Sequence, residues 1–479
     1  RSLLYGGTVQ TDVIDPFGAL TMRHIVLILI LAAWFGACKA GPNYRRPAVP
    51  LPGEFRSPTT PPPLPPDAST FGDLRWWEVF QDPELQLLLS KALDNNYDIR
   101  GAAARVEQAA ANVGVVRADQ FPQAVVSAEF SRTKRSGAAV PFIPGFAGIT
   151  NTVFGVTPAV SWALDFWGQF RRATEAAKAG LLATEAGREA VRASIVTAVA
   201  IAYFQLRELD LELEITNRTL ETRRDSLRLT RLRQEGGVVS MLDVRQSESL
   251  VTTAMATIPQ LRQQIEQTEN LISTLLGEAP QEIRRGLPLD RQIIPAAPPG
   301  LPSSLLARRP DVRAAEQVLV AANARIGVAR AAYFPNITID AFTGLQTADI
   351  EDTFTKRSWV WGFIPSLTVP LFTGGRIRSA VELSEAQRQE AIVAYQQTIQ
   401  QAVREVSDAL FALTRIREFR LEQEALTAIY RDAARLSNIR YRGGVTTYLE
   451  VLDSERNVYA AELNLAQARL NELTAMIQL

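Results

Sequence analysis

DIRGAAARVEQAAANVGVVRADQFP at residues 98–122 and DVRAAEQVLVAANARIGVARAAYFP at residues 311–335 match at a constant offset of 213. Asp98-Ile99-Arg100 pairs with Asp311-Val312-Arg313, Val113-Gly114-Val115 with Ile326-Gly327-Val328, and Phe121-Pro122 with Phe334-Pro335. Further along, the offset settles at 207. Gly236-Gly237-Val238 then pairs with Gly443-Gly444-Val445, Leu242-Asp243-Val244 with Leu449-Glu450-Val451, and Ser247-Glu248 with Ser454-Glu455. The chain is one unit of roughly two hundred residues written twice, which points to a wall built from repeated elements.

Each copy has the same order. A helix comes first, over about 83–119 and 303–332, opened in the first copy by Asp82-Pro83-Glu84 and closed in both by Phe-Pro. Two strand-like pieces follow, at 123–133 and 154–164, then at 336–343 and 362–371. In the first piece Val126, Ala128 and Phe130 alternate with Ser127, Glu129 and Ser131. Ile337, Ile339 and Ala341 alternate with Thr338, Asp340 and Phe342, where the phenylalanine blurs the polar face. Next come proline-free helical segments at 169–235 and 376–442, each a rod of ~100 Å at about 1.5 Å per residue. Paired glycines end both rods, supplying the left-handed backbone that turns a helix back. Return helices occupy 242–276 and 449–479.

Composition narrows the function. Fifty-one basic and 51 acidic residues balance with no polybasic tract, which argues against nucleic acid. Met22-Arg23-His24 followed by the apolar run Ile25–Phe35 and the small residues Gly36-Ala37 reads as a signal peptide. The run is too short for a membrane span, which needs roughly 20 residues. Small residues before Cys38 resemble a lipobox, with Phe35 where Leu is usual. The plainer alternative is an ordinary secretory signal with an incidental cysteine. His24 and Cys38 are the only histidine and cysteine, so a mature chain from Cys38 has no histidine base, free thiol nucleophile or His/Cys zinc site. No phosphate-binding loop or nucleophile elbow is present, so the chain reads as a non-enzyme without cofactors. The division expected is an upstream extension foreign to the protein at 1–21, a signal peptide at 22–37, a lipidated Pro-rich tether at 38–72, a first repeat at 73–290 and a second at 291–479.

The strands are about as long as membrane β-strands, ~9–11 residues. Four cannot close a barrel, and open edges are not tolerated in lipid, so chains must associate. A dimer supplies eight strands and a trimer twelve; geometry does not choose. A soluble coiled coil carrying short loops is the competing reading.

Several motifs narrow this further. Cys38-Lys39-Ala40-Gly41-Pro42-Asn43-Tyr44 stands at the mature start. Gly300-Leu301-Pro302-Ser303-Ser304-Leu305-Leu306-Ala307-Arg308-Arg309-Pro310-Asp311-Val312-Arg313 opens the second repeat. Leu164-Asp165-Phe166-Trp167-Gly168 and Val369-Pro370-Leu371-Phe372-Thr373-Gly374-Gly375-Arg376 mark the strand-to-rod junctions. With these the chain resembles the TolC-like outer membrane factors, in the NodT-like lipoprotein branch of RND-type efflux systems. The resemblance implies a mainly α fold with β. A trimeric outer-membrane β-barrel takes four strands from each chain, and a long periplasmic α-helical barrel continues it. It implies a passive exit duct for drugs and toxic compounds, closed at its periplasmic tip. A periplasmic adaptor (membrane fusion) protein and an inner-membrane RND transporter are the implied partners, with covalent lipid on Cys38. A type I protein-secretion duct and a lipid-anchored scaffold are the alternatives.

The same resemblance assigns the tip. Glu450 and Asp453 match acids that ring the lumen, where rings of like charge favour cations, and Asp243 matches the first-repeat acid. Tyr441 matches a tyrosine that locks the closed state, while Thr446 stands where its partner arginine is expected. Gly236, Gly237 and Val238, with Gly443, Gly444 and Val445, match turns that meet the adaptor.

Overall fold

The structure is a computed structural model and describes residues 39–50, 80–134, 136, 150–292 and 308–478. Cys38, the signal segment, residues 1–21 and residues 51–79 lie outside the described residues. In chain order the elements are α1 (Pro83–Asn95), α2 (Tyr97–Ala118), β1 (Gln123–Lys134), β2 (Thr150–Leu164), α3 (Gln169–Glu235) and α4 (Met241–Leu275). The second half continues with α5 (Pro310–Ala331), β3 (Asn336–Thr347), β4 (Trp359–Thr368), α6 (Arg376–Arg442) and α7 (Tyr448–Gln478). The two rods, α3 and α6, are each 67 residues long.

Two compact units emerge. One comprises the described residues up to Arg45, Asn112–Lys178 and Val320–Gln389; the other comprises Arg46–Ala111, Ala179–Leu319 and Glu390–Leu479. The first unit is built on one sheet of order β1-β2-β3-β4, antiparallel throughout. β1 and β4 are its edges. β4 begins and ends three residues before the expected 362–371. Trp359 to Trp361 already pair with β3, whereas Pro370 lacks an amide donor and Gly374 and Gly375 turn the chain at φ 58° and 86°. Phe342, which blurs the polar face, lies across Gly362: a Cβ there would come within 2.4 Å of its ring. The glycine makes room for the aromatic on the neighbouring strand.

The second unit has an apolar core around Leu85, Leu89, Tyr203, Phe204, Leu206, Ile272, Leu276 and Leu473. α3 is apolar enough, by length and composition, to cross a bilayer. Its apolar stretch is instead used in this core, where Val196, Val199, Ala200, Tyr203, Phe204 and Leu206 are buried. The expected helix over 83–119 is broken at Asn96. Its Oδ1 accepts from the amides of Asp98 (2.8 Å) and Ile99 (3.1 Å), capping α2, while Nδ2 donates to Leu275 O (2.8 Å). Asp82 caps α1 as expected, accepting from the amides of Glu84 and Leu85.

Candidate functional site

The sheet register sorts its side chains into two unlike faces. Paired positions place Val126, Phe130, Val156, Val160, Trp162, Ile339, Ala341, Trp361 and Phe363 on one face. Ser127, Glu129, Thr157, Ser161, Thr338, Asp340 and Ser366 lie on the other, where Ser161 Oγ donates to Asp340 Oδ1 (2.6 Å). Among the described residues nothing covers the large side chains of the apolar face: Trp361 is 66% exposed, Phe363 62% and Phe130 65%. Tryptophans mark both of its ends, Trp162 on one side and Trp359 with Trp361 on the other. That is the distribution of a lipid-facing sheet with interfacial aromatic belts.

The helix turns are built twice on one plan. Val238 N–H donates to Arg233 O (2.8 Å) and Gly237 N–H to Gln234 O (2.9 Å). Val445 N–H donates to Arg440 O (3.0 Å) and Gly444 N–H to Tyr441 O (3.0 Å). This pair of bonds is a Schellman cap, and it requires the left-handed φ of 75° at Gly237 and 76° at Gly444. Gly236 and Gly443 precede these positions in ordinary backbone. Val238 and Val445 project into solvent, as do Met241, Leu242 and Leu449.

The acids beyond the turns are not equivalent. Asp243 closes a capping box with Ser240, accepting from its amide (2.9 Å) and donating its own amide to Ser240 Oγ (3.3 Å). Glu450 pairs with Arg440 (3.4 Å) and accepts from Thr446 Oγ1. Asp453 is exposed and accepts from Asn457 Nδ2 (3.2 Å); no cation pairs with it among the described residues. Thr446, standing where the lock's arginine is expected, thus serves Glu450 and not Tyr441.

Tyr441 is buried with Tyr448, Val451, Leu452 and Leu250, its ring 5.6 Å from that of Tyr448. The residue that engages it is Arg233 on α3. The guanidinium carbon lies 4.3 Å from the Tyr441 ring centroid; Nη1 donates to Tyr441 O (2.9 Å) and Nη2 to Arg442 O (3.1 Å). A forked cation is therefore seated on the last carbonyls of α6, the negative end of that helix. Sequence reading did not single out Arg233. The signal was present, since arginine precedes the first glycine by three positions in both copies, at 233 and 440.

The segment after Cys38 is docked and not free. Ala40 N–H donates to Trp167 O (2.9 Å). Arg172, 1% exposed, donates to Ala40 O (3.1 Å), Gly41 O (3.3 Å) and Asn43 Oδ1 (2.9 Å), and pairs with Glu175 (3.0 Å). Gly41 lies so close to Gly327 that a Cβ on it would fall 2.5 Å from the Gly327 Cα. The expectation of an extended tether therefore fails at its start: proline content favoured it, but close glycine contact and a buried arginine hold this stretch.

Comparison with known proteins agrees with this geometry. The family model described as outer membrane efflux protein matches residues 88–278 and again 301–479. The toluene efflux pump outer membrane protein TtgC of Pseudomonas putida is 33% identical over 459 residues, covering 95% of this chain and 94% of its own. The outer membrane protein OprJ of Pseudomonas aeruginosa is 33% identical over 457 residues, with the same coverage of each chain. The open-state outer membrane channel MtrE of Neisseria gonorrhoeae superposes with a TM-score of 0.83 at 31% identity, covering 92% of this chain and 97% of that one. By its fold and by both family matches, the chain belongs to the outer membrane efflux protein family and is an outer-membrane efflux channel.

Proposed function

We propose that three copies of the chain form the passive exit duct of a tripartite pump and carry small molecules out through the outer membrane. The observation that carries this is the sheet with one apolar, solvent-exposed face and, among the described residues, two unpaired edges. Lipid tolerates neither open edge, and closure needs strands from other copies. Twelve strands from three chains close one barrel, and the rods supply the wall of a periplasmic helical tube. Relatives named for toluene efflux support small-molecule cargo over a secreted protein. The duct does no chemistry; a transporter in the inner membrane supplies energy and selects cargo. A periplasmic adaptor meets the turns, where Val238, Met241, Leu242, Val445 and Leu449 offer exposed apolar contact.

Closure draws on both copies. Arg233 of the first latches α3 to the end of α6 through Tyr441, and Asp453 of the second, with which no cation pairs among the described residues, faces the throat. Glu450, tied to Arg440, and Asp243, tied into its capping box, are spent locally. Purified protein in planar bilayers is expected to give small, cation-selective resting currents, and Asp453→Ala to lower that selectivity and enlarge the current. Equal reversal potentials for wild type and variant remove Asp453 from the throat. Absence of any channel activity in the wild type overturns the duct.

Cys38 carries the lipid anchor. Support comes from the small residues before it and from the docked segment after it, which fixes where an acyl chain leaves the body. Cys38→Ser is expected to lose the mass of the acyl chains while the sheet still inserts, as read by intact mass and heat-modifiable migration. Acyl mass retained on the variant excludes this site.

A further inference from the structure

The internal repeat breaks at two acids on α3. The offset of 207 sets Glu208 against Arg415 and Glu212 against Phe419, so the acid pair exists only in the first copy. Four residues apart, the two carboxyls share one helix face. Glu208 is 3% exposed, and its Oε1 has no hydrogen-bond partner among the described residues. Glu212 is the acid beside it on that face, and its charge adds to burial in opposing ionisation of Glu208. A buried acid with an unpaired oxygen is costly, and packing the rod alone is better served by an apolar residue.

Glu208, itself buried, is among the residues that line an open cavity of about 460 Å³ between α3, α4 and α7. Gln264 and Gln267 of α4 and Gln467 of α7 bring amide groups to this cavity, and Leu209, Leu271 and Leu470 give it apolar surface. A single desolvated ion needs far less room; the volume falls in the range of small-molecule pockets, ~300–1,000 Å³. An unpaired acid selects positive charge, and leucines select an apolar body.

We propose that this cavity binds an organic monocation with an apolar body, an amphiphilic ammonium, whose charge meets Glu208 and whose body covers the leucines. The pocket uses one chain only, so the proposal does not rest on the trimeric duct. It adds a place where the wall holds a molecule to a channel otherwise read as passive.

Binding is linked to a proton. Burial first, and then the charge of Glu212, push Glu208 up to about 8. Below that pH the carboxyl is protonated, so a cation entering at pH 7 forms its ion pair as the proton leaves to buffer. Affinity therefore rises with pH and levels off above about 8. Glu212 is the titratable neighbour; the groups that α4 and α7 bring to the pocket, Gln264, Gln267, Thr268 and Gln467, do not titrate.

The test is calorimetric titration of the full-length protein in detergent with benzyltriethylammonium chloride, a probe that cannot itself titrate. Runs at pH 7 in two buffers of different ionisation enthalpy read the proton released. Close to one proton per bound cation is expected, with affinity climbing from pH 6 to pH 8. Glu208→Gln is expected to abolish proton release and weaken binding about tenfold or more, a loss of ~1.4 kcal/mol or more, with circular dichroism and assembly size unchanged. Glu212→Gln retains binding and moves the levelling-off to lower pH. Binding that ignores pH, or equal affinity in Glu208→Gln, overturns the site. So does Glu208→Gln that dissociates the assembly without changing probe affinity, since the acid then serves a contact between copies.

Discussion

Arg233→Ala is expected to leave the protein folded but no longer shut at rest. The substitution removes two hydrogen bonds from a charged donor to the end of α6 and one cation–π contact with Tyr441. Such bonds are worth about 1.5–3 kcal/mol each when well formed, and the ring contact about 0.5–2 kcal/mol. The guanidinium is only half-buried, so solvent screening lowers the total to roughly 2–3 kcal/mol per protomer. Against a closed state held by a few such contacts, that shifts the open population by about one to two orders of magnitude. Single-channel recordings are expected to show a larger resting conductance, with the helical melting temperature little changed because the main apolar core, around Leu85, Tyr203 and Leu473, is untouched. Arg233→Lys retains the charge without the fork and is expected to fall between the two. Wild-type resting currents in Arg233→Ala remove the latch from the gate.

Asp82→Ala is expected to produce the largest loss of stability. Asp82 is fully buried, and one carboxylate serves three parts of the second unit. It caps α1, accepts from the Tyr203 hydroxyl on α3 (2.7 Å), and accepts from Leu287 N–H (3.0 Å) and Gln292 Nε2 (2.8 Å) in the stretch that follows α4. Burial first, then Asp82 itself, hold the Tyr203 phenol well above its ordinary pKa, so it remains a donor throughout the working pH range. Removing the acceptor strands these donors at once. Each buried, unsatisfied donor costs about 1–3 kcal/mol and the lost cap about 1 kcal/mol, so a total of roughly 3–5 kcal/mol is expected after local relaxation. The measurement is thermal unfolding followed by circular dichroism, with limited proteolysis of the 280–292 stretch. An unchanged melting temperature means that other groups satisfy those donors.

The rods were legible to the residue because the signals that bound them are local. Neither contains proline, and paired glycines end both. The polarity of the sheet faces was equally legible, since strand alternation has period two and survives small errors in strand ends. The break at Asn96 was not, because asparagine inside an alanine-rich stretch looks like a tolerated helix residue until its side chain is seen to cap α2 and reach Leu275. The cation against Tyr441 was not legible for a related reason. The resemblance points to position 446, a threonine, whereas Arg233 lies on the other rod and is brought to Tyr441 only by packing. Within the signature 308–311, Arg309 pairs with both Asp311 (2.7 Å) and Glu405 (2.7 Å). Burial opposes ionisation of Asp311, but the hydrogen bonds from Arg309 hold its carboxyl below the usual range. The motif thus fastens the start of α5 to α6, a purpose that sequence spacing does not display.

The docked N-terminal segment makes order of assembly matter. Its receptor is composite: Arg172 comes from the first copy of the repeat, while Gly327 and Asn323, which donates to Pro42 O (2.9 Å), come from the second. Residues 40–43 therefore find their full seat only once α5 has been made and packed. The segment's hydrogen bonds tie the two copies of the repeat together through a stretch of chain that belongs to neither.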